Sequence, residues 1–170
     1  MTDAERRSRL QCELYPAYGR GNYTFVVICA WYRGKLLLSR HRERTTWETQ
    51  GGHIEPGETP AEAARRELYE ECGARDFDLT PVCDYYGYDE FGSAWGVAFR
   101  AEIRELGVLP ESEMAETALF DALPENLTYP MVTPKLFEAA QGGTYGNPTG
   151  MVSGKTGNAD SGDLCGYGAV

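Results

Sequence analysis

Apolar runs in the first part of the chain predict a strand hairpin. Residues 23–32 (YTFVVICAWY) form a nearly continuous run of β-branched and aromatic side chains, which is typical of a strand buried on both faces. An arginine–glycine dipeptide interrupts the run, and a second one, KLLLSR, follows at 35–40. Two such runs separated by a glycine-containing dipeptide predict a β-hairpin. Residues 1–22 are mostly polar, and from them we expect only an edge strand near 10–14.

The clearest helix signal covers residues 59–72. Thr59 is a favourable N-cap, Pro60 suits the first helical position, and Glu62 can complete a capping box with Thr59. Gly73 suits the left-handed residue that ends a helix. Apolar residues recur at helical spacing and give the helix a packing stripe: Ala61, Ala64, Leu68 and Cys72.

The rest of the chain divides into further elements and a tail. Strands are predicted near 77–88 and 93–103, the second with an alternating pattern of side chains, followed by a short apolar stretch at 117–123 and a helix at 131–140. Beyond this helix the composition changes, because nine of the chain's 20 glycines fall after residue 140 and large aliphatic residues are few. We therefore predict one domain over 1–141 and a glycine-rich, flexible or irregular tail over 142–170.

Composition and charge narrow the functional classes. The chain has 170 residues and a net charge of −10, which disfavours binding to nucleic acid because phosphate backbones are repelled. Its N-terminus lacks the apolar segment of a secretory signal, and no apolar run approaches the length of a membrane span, so we expect a cytoplasmic protein without a membrane partner. Five scattered cysteines and two histidines give little support to a zinc cluster or a serine–histidine triad. Whether the chain forms a homodimer is left open.

Three acids near the end of the predicted helix are candidates for metal binding. Glu67, Glu70 and Glu71 are spaced i, i+3 and i+4, so a helix places them on one side, close to its negative end. Such a cluster is unfavourable unless something compensates its charge, and a hard divalent cation such as Mg²⁺ would do so. A solvated acidic face is the alternative. The preceding segment 51–58 (GGHIEPGE) is predicted as a glycine-punctuated loop whose backbone carbonyl could complete a cation site.

Segment 52–74, GHIEPGETPAEAARRELYEECGA, resembles the signature box of the Nudix family. That box runs glycine, five residues, glutamate, seven residues, Arg-Glu, an aliphatic residue, any residue, Glu-Glu, any residue, glycine and a small or aliphatic residue. The chain fills every fixed position: Gly52, Glu58, Arg66, Glu67, Leu68, Glu70, Glu71, Gly73 and Ala74. The family often has proline before the double glycine, where this chain has Gln50.

The resemblance implies an α/β fold, the Nudix α/β/α sandwich around a mixed β-sheet. It also implies a Mg²⁺ site, with Mn²⁺ as the substitute, and hydrolysis of a nucleoside diphosphate linked to another group. By position, the metal ligands would be Glu67, Glu70, Glu71 and the carbonyl of Gly52 or Gly51. Arg66 would orient a carboxylate, and Glu58 would support the cluster. Family members often carry another acid beyond the box, and Glu113 is at the similar position here, with Glu116 as the runner-up. The general base would be Glu67, with Glu113 as the next candidate.

The resemblance implies a small nucleotide as the substrate. Phosphate or base contacts are predicted for Arg40, Arg42 and Trp47, which precede the box, although exposed arginines and aromatic residues also occur without any such role. No proline follows the box at the position typical of members that cleave ADP-ribose. By elimination we expect a pyrophosphohydrolase of nucleoside triphosphates, similar to MutT. The alternatives are an ADP-ribose, nucleotide-sugar or dinucleotide pyrophosphatase, and a non-catalytic ligand sensor.

Overall fold

The computed structural model describes residues 1–142, which form three helices and seven strands. In chain order these are α1 (Asp3–Arg9), β1 (Gln11–Pro16), β2 (Phe25–Tyr32), β3 (Lys35–His41), β4 (Gln50–His53), α2 (Pro60–Cys72), β5 (Ala74–Asp89), β6 (Gly92–Leu106), β7 (Met114–Phe120) and α3 (Thr133–Ala140).

The strands form one mixed sheet with helices on both faces. Its order is β1-β5-β6-β2-β3-β7, and β4 pairs with β2. Strands β2 and β6 are parallel, whereas the other pairs are antiparallel. Helix α2 packs with one apolar cluster that includes Ile28 and Phe99, and α3 packs with the other, which includes Val27 and Leu38. The predicted α/β/α sandwich around a mixed sheet is confirmed.

The sheet forks beside β2, and this fork positions the candidate site. One edge of β2 pairs with β4 over Phe25–Ile28 and with β3 over Ala30–Tyr32. Strands β3 and β4 therefore pair with different stretches of the same edge of β2. Ser39 near the end of β3 still exchanges two backbone hydrogen bonds of 2.9 Å with Glu48, just before β4. The last turns of α2 lie against this fork, as the contacts described below show.

The elements mostly follow the predictions, with two corrections. Residues 1–22 include a seven-residue helix, α1, that the sequence reading did not predict. The segment 51–58 was expected to be a loop throughout, but its first three residues belong to β4, because β2 offers them a pairing edge. The predicted tail lies outside the described residues from 143 onward. Within residues 1–142, no helix is long and apolar enough to cross a membrane.

Candidate active site

Helix α2 presents its acids in different environments. The helix begins as predicted, with Thr59 and Glu62 forming a reciprocal capping box, and it ends at Gly73, whose φ of 77° is left-handed. Glu67 and Glu71 stand one turn apart and are both buried. Glu70 projects outward, and 48% of its side chain is exposed. The acidic helix end is therefore not simply a solvated face, since two of its three carboxylates are turned inward.

Arg66 connects the acids of the helix with the segment before it. Its Nε and Nη2 atoms donate to the two carboxylate oxygens of Glu58, both at 2.9 Å. Its Nη1 donates to Glu67 Oε1 at 2.7 Å, and its Nη2 also donates to the carbonyl oxygen of His53 at 3.1 Å. A bidentate arginine–carboxylate pair fixes both direction and distance. Arg66 therefore holds the Glu67 carboxylate in one orientation.

Two glycines of β4 bring the backbone close to the buried carboxylates. A Cβ atom on Gly52 would lie 2.3 Å from Glu67 Oε1, so no other residue fits there without displacing Glu67. The N–H of Gly51 donates to Glu71 Oε2 at 2.8 Å. The other carboxylate oxygen of Glu71 accepts no hydrogen bond from the described residues. The double glycine thus lets α2 pack close to the sheet. One carboxylate oxygen of Glu71 is left available for a ligand.

Burial governs the protonation of both inward acids. It raises the pKa of Glu67, an effect that the hydrogen bond from Arg66 opposes. Burial also raises the pKa of Glu71 well above its ordinary value, against the effect of the Gly51 N–H. Neighbouring negative charges raise the pKa of Glu71 further, and these belong to Glu67, Glu48 and Glu113. A positive charge at this place would relieve the repulsion.

The donor set fits a hard divalent cation. Carboxylate oxygens are the ligands that Mg²⁺ prefers, and the lack of a side chain at Gly52 lets the Glu67 carboxylate lie directly against the backbone of β4. Among residues 1–142, no three His, Cys, Asp or Glu side chains already form a metal-holding group. Mg²⁺ does not require one, because it is commonly held by one or two carboxylates together with waters and substrate phosphates. The residues present therefore suit a hard divalent cation that takes its remaining ligands from outside the protein.

The other predicted site residues already have partners in the protein. Glu113 lies in the segment before β7, with its Oε2 atom 3.6 Å from His41 Nε2, and 61% of its side chain is exposed. Arg40 pairs with Glu116 at 2.7 Å, and Arg42 donates to the carbonyl of Ser112 at 2.8 Å. The ring of Trp47 packs edge-on against Phe120. Of these residues, Glu113 is one of the acids whose negative charge raises the pKa of Glu71.

A buried acid beside the site was missed by the sequence reading. Glu48 is fully buried, and Arg44 Nη1 lies 2.8 Å from each of its carboxylate oxygens. Thr128 Oγ1 donates to the same carboxylate at 2.6 Å. Arg44 is therefore engaged in an internal ion pair. The i, i+4 spacing of Arg44 and Glu48 gave no signal of this pair, because that rule applies to helices and residues 44–48 are not helical.

An apolar cavity lies on the α3 side of β4. It has a volume of about 30 Å³ and is lined mainly by apolar and aromatic residues, together with Thr49 and His53. The carbonyl of His53 accepts from Arg66, as described above, while its side chain lines this cavity. One residue therefore connects the α2 side of the site with the opposite face of the sheet.

Two RNA pyrophosphohydrolases are similar in sequence to part of this chain. An RNA pyrophosphohydrolase of Francisella tularensis subsp. mediasiatica is 37% identical over 73 residues, which cover 41% of this chain and 46% of that protein. An RNA pyrophosphohydrolase of Bartonella henselae is 32% identical over 83 residues, covering 44% and 48%. The chain thus aligns with about half the length of each of these relatives.

Structural comparison extends the similarity over most of the fold. The crystal structure of a Bacillus subtilis pyrophosphohydrolase superposes with a TM-score of 0.67 and 26% identity, covering 81% of this chain and 93% of that one. Residues 22–130 match the family profile described as the NUDIX domain. That match runs from just before β2 to just before α3, and so contains the fork, α2 and every acid discussed above. The chain belongs to the Nudix family.

Proposed function

We propose that this protein is a metal-dependent pyrophosphohydrolase that cleaves the diphosphate linkage of a nucleoside 5′-triphosphate. The observation that carries the proposal is the arrangement at the end of α2, where Arg66 orients Glu67 and the double glycine admits both buried carboxylates to the sheet. Nudix hydrolases generally use divalent metal ions. Mg²⁺ is our proposal for the ion, with Mn²⁺ as its substitute.

Each residue has a distinct part in the proposed reaction. Glu67 and Glu71, with the outward Glu70 and the carbonyl of Gly52, would hold the cation. When bound, a divalent ion there neutralises phosphate charge and makes a water molecule more acidic. Arg66 keeps Glu67 in place through the 2.7 Å hydrogen bond. We assign it no contact with the substrate, because its Nε and Nη2 atoms donate to Glu58 and to the carbonyl of His53.

Hydrolysis requires one proton transfer from water. The water oxygen bonds to phosphorus, the anhydride P–O bond breaks, and the terminal fragment leaves as pyrophosphate or phosphate. We propose Glu67 as the acceptor of the proton, because the hydrogen bond from Arg66 holds its carboxylate in one orientation beside the proposed cation site. Glu113 is the second candidate. Its carboxylate is exposed to solvent, and its negative charge acts on Glu71.

A second candidate substrate is an RNA that carries a 5′-triphosphate. The names of the two relatives favour it, and the reacting linkage is the same as in a nucleoside triphosphate. The net charge of −10 disfavours long contact with an RNA backbone. For an RNA substrate we therefore propose recognition of the terminal nucleotide rather than of an extended strand. Arg40, Arg42 and Trp47 remain proposed contacts of the substrate.

The test is turnover of a matched substrate panel with Mg²⁺ and with chelator. The panel contains a nucleoside triphosphate, a short 5′-triphosphorylated RNA, ADP-ribose and a nucleotide sugar. We expect Mg²⁺-dependent cleavage of one or both triphosphates, and a loss of at least about 100-fold in Glu67→Gln. Glu90→Gln, at the exposed tip between β5 and β6, is the control and should match the wild type. Absence of cleavage for every member would overturn the proposal.

A further inference from the structure

The end of α2 is attached to the sheet through a buried serine. Ser39 of β3 has no exposed surface, and its Oγ atom donates to the carbonyl oxygen of Glu71 at 2.8 Å. Because α2 ends at Cys72, no helical N–H follows at the position that would bond this carbonyl. The Ser39 hydroxyl therefore substitutes for a missing helix hydrogen bond at the very residue whose carboxylate faces the candidate metal site.

A glutamine determines the direction of that hydroxyl. Gln50 of β4 is also fully buried, and its Nε2 donates to Ser39 Oγ at 2.8 Å. A serine hydroxyl carries one proton, so an oxygen that accepts from Gln50 must direct its own proton to Glu71. Gln50 is buried at this position although its Oε1 atom has no hydrogen-bond partner among the described residues. An apolar side chain would avoid that unfavourable burial, but it would not orient Ser39.

The same stretch of β4 also holds the other end of Glu71. The residue after Gln50 is Gly51, whose N–H donates to Glu71 Oε2. Two consecutive residues of β4 thus act on Glu71. Gln50 acts through Ser39 on its carbonyl, and Gly51 binds its carboxylate. We propose that Gln50 and Ser39 are positioning residues that act in series to orient Glu71 for the divalent cation. This inference rests on the function proposed above.

Mn²⁺ affinity of the full-length protein tests the proposal without relying on turnover. Titration calorimetry with Mn²⁺ would compare the wild type with Ser39→Ala, Gln50→Met and the double variant. We expect Ser39→Ala to raise the dissociation constant about tenfold, a typical effect for a residue that supports a metal ligand. Gln50→Met should weaken binding in the same direction. The double variant should bind no more weakly than Ser39→Ala, because Gln50 acts through Ser39.

Leu38→Val is the matched control. Leu38 is the buried neighbour of Ser39 on β3, but it packs in the apolar cluster on the α3 side. Its variant should lose stability and keep wild-type Mn²⁺ affinity. Ser39→Ala with wild-type affinity, or a double variant with fully additive losses, would overturn the series arrangement. If Ser39→Ala fails to fold, the affinity of Gln50→Met decides, and wild-type binding in that variant overturns the proposal. A wild-type protein that binds no Mn²⁺ and cleaves no substrate would overturn the proposed function as well.

Discussion

Arg66 is the residue on which most of the site's fixed geometry depends. It makes hydrogen bonds to Glu58, Glu67 and the His53 carbonyl, and these belong to three successive parts of the box. The hydrogen bond from Arg66 is the main reason that the pKa of Glu58 lies below its ordinary value. A lysine offers one charged nitrogen and cannot reproduce this forked geometry.

Removing Arg66 should reduce stability and turnover together. In Arg66→Ala, the inward Glu67 keeps its charge and loses its cationic partner, so we expect a loss of about 2 kcal/mol in the free energy of unfolding. Arg66→Lys should recover only part of this loss. Denaturant unfolding measures both. Arg65→Ala removes the exposed neighbouring arginine and should change stability by less than about 1 kcal/mol. Equal effects at positions 65 and 66 would contradict the assigned role of Arg66.

The described cysteines should be unreactive in the folded protein. Cys12, Cys29, Cys72 and Cys83 are all buried. Burial raises the pKa of Cys12 to about 11 and that of Cys72 to about 12, so almost no thiolate exists at pH 8. A chromogenic thiol reagent should therefore label at most one group quickly, Cys165, which lies outside the described residues. All five should react in denaturant. Rapid labelling of two or more thiols before unfolding would show that this burial is not maintained.

At the scale of elements, the sequence predicted the helices and strands that are determined by patterns within one segment. It did not predict the structure that depends on a neighbouring strand. The capped helix α2 and the hairpin of β2 and β3 follow from patterns within each segment. Strand β4 could not be predicted, because Gln-Gly-Gly-His has little strand propensity and pairs only since β2 leaves part of its edge unoccupied. The burial of Glu67 and Glu71 likewise depends on where β4 lies.

Helix α1 begins with a capping signal in the sequence, although no helix was predicted there. Thr2 and Glu5 form the same capping box that identified α2. The helix buries none of its residues, however, so it has no apolar stripe by which to recognise it. Arg6 joins α1 to the sheet through an ion pair with Asp89, with Nε and Oδ2 2.7 Å apart, and its guanidinium group also lies over the Phe91 ring.

Breaking this link should release α1 and leave the rest of the fold intact. Burial acts to raise the pKa of Asp89, but the hydrogen bond from Arg6 and neighbouring N–H groups bring it below its ordinary value. A carboxyl whose pKa is lowered by folding adds stability above its unfolded pKa, and this contribution is lost as the pH falls through the lower folded value. We expect lower amide protection factors, corrected for the intrinsic exchange rate at each pH, in α1 alone, both in Arg6→Ala at pH 7 and in the wild type below about pH 4. Unchanged exchange of α1 in Arg6→Ala would contradict this account.

At the scale of the whole molecule, the sheet fork and α2 form one unit inside the stretch that matches the family. The composition beyond residue 140 offers little apolar surface for burial. A chain truncated after residue 142 should therefore unfold within about 2 °C of the full-length protein and retain its turnover. Differential scanning calorimetry and the substrate panel measure both. A decrease of more than about 5 °C would show that the removed residues contribute to the fold.

The central claim is that the buried carboxylates at the end of α2 are arranged to bind a cation. Thermal unfolding of the wild type and Glu71→Gln, each with millimolar Mg²⁺ and with chelator, tests it most directly. Since the substituted amide would keep an acceptor for the Gly51 N–H and remove a buried charge, we expect the variant to be at least as stable as the wild type in chelator. Mg²⁺ should raise the midpoint of the wild type by several degrees and that of the variant much less. Equal Mg²⁺ shifts in the two proteins would contradict the claim, and so would a variant that is less stable than the wild type in chelator.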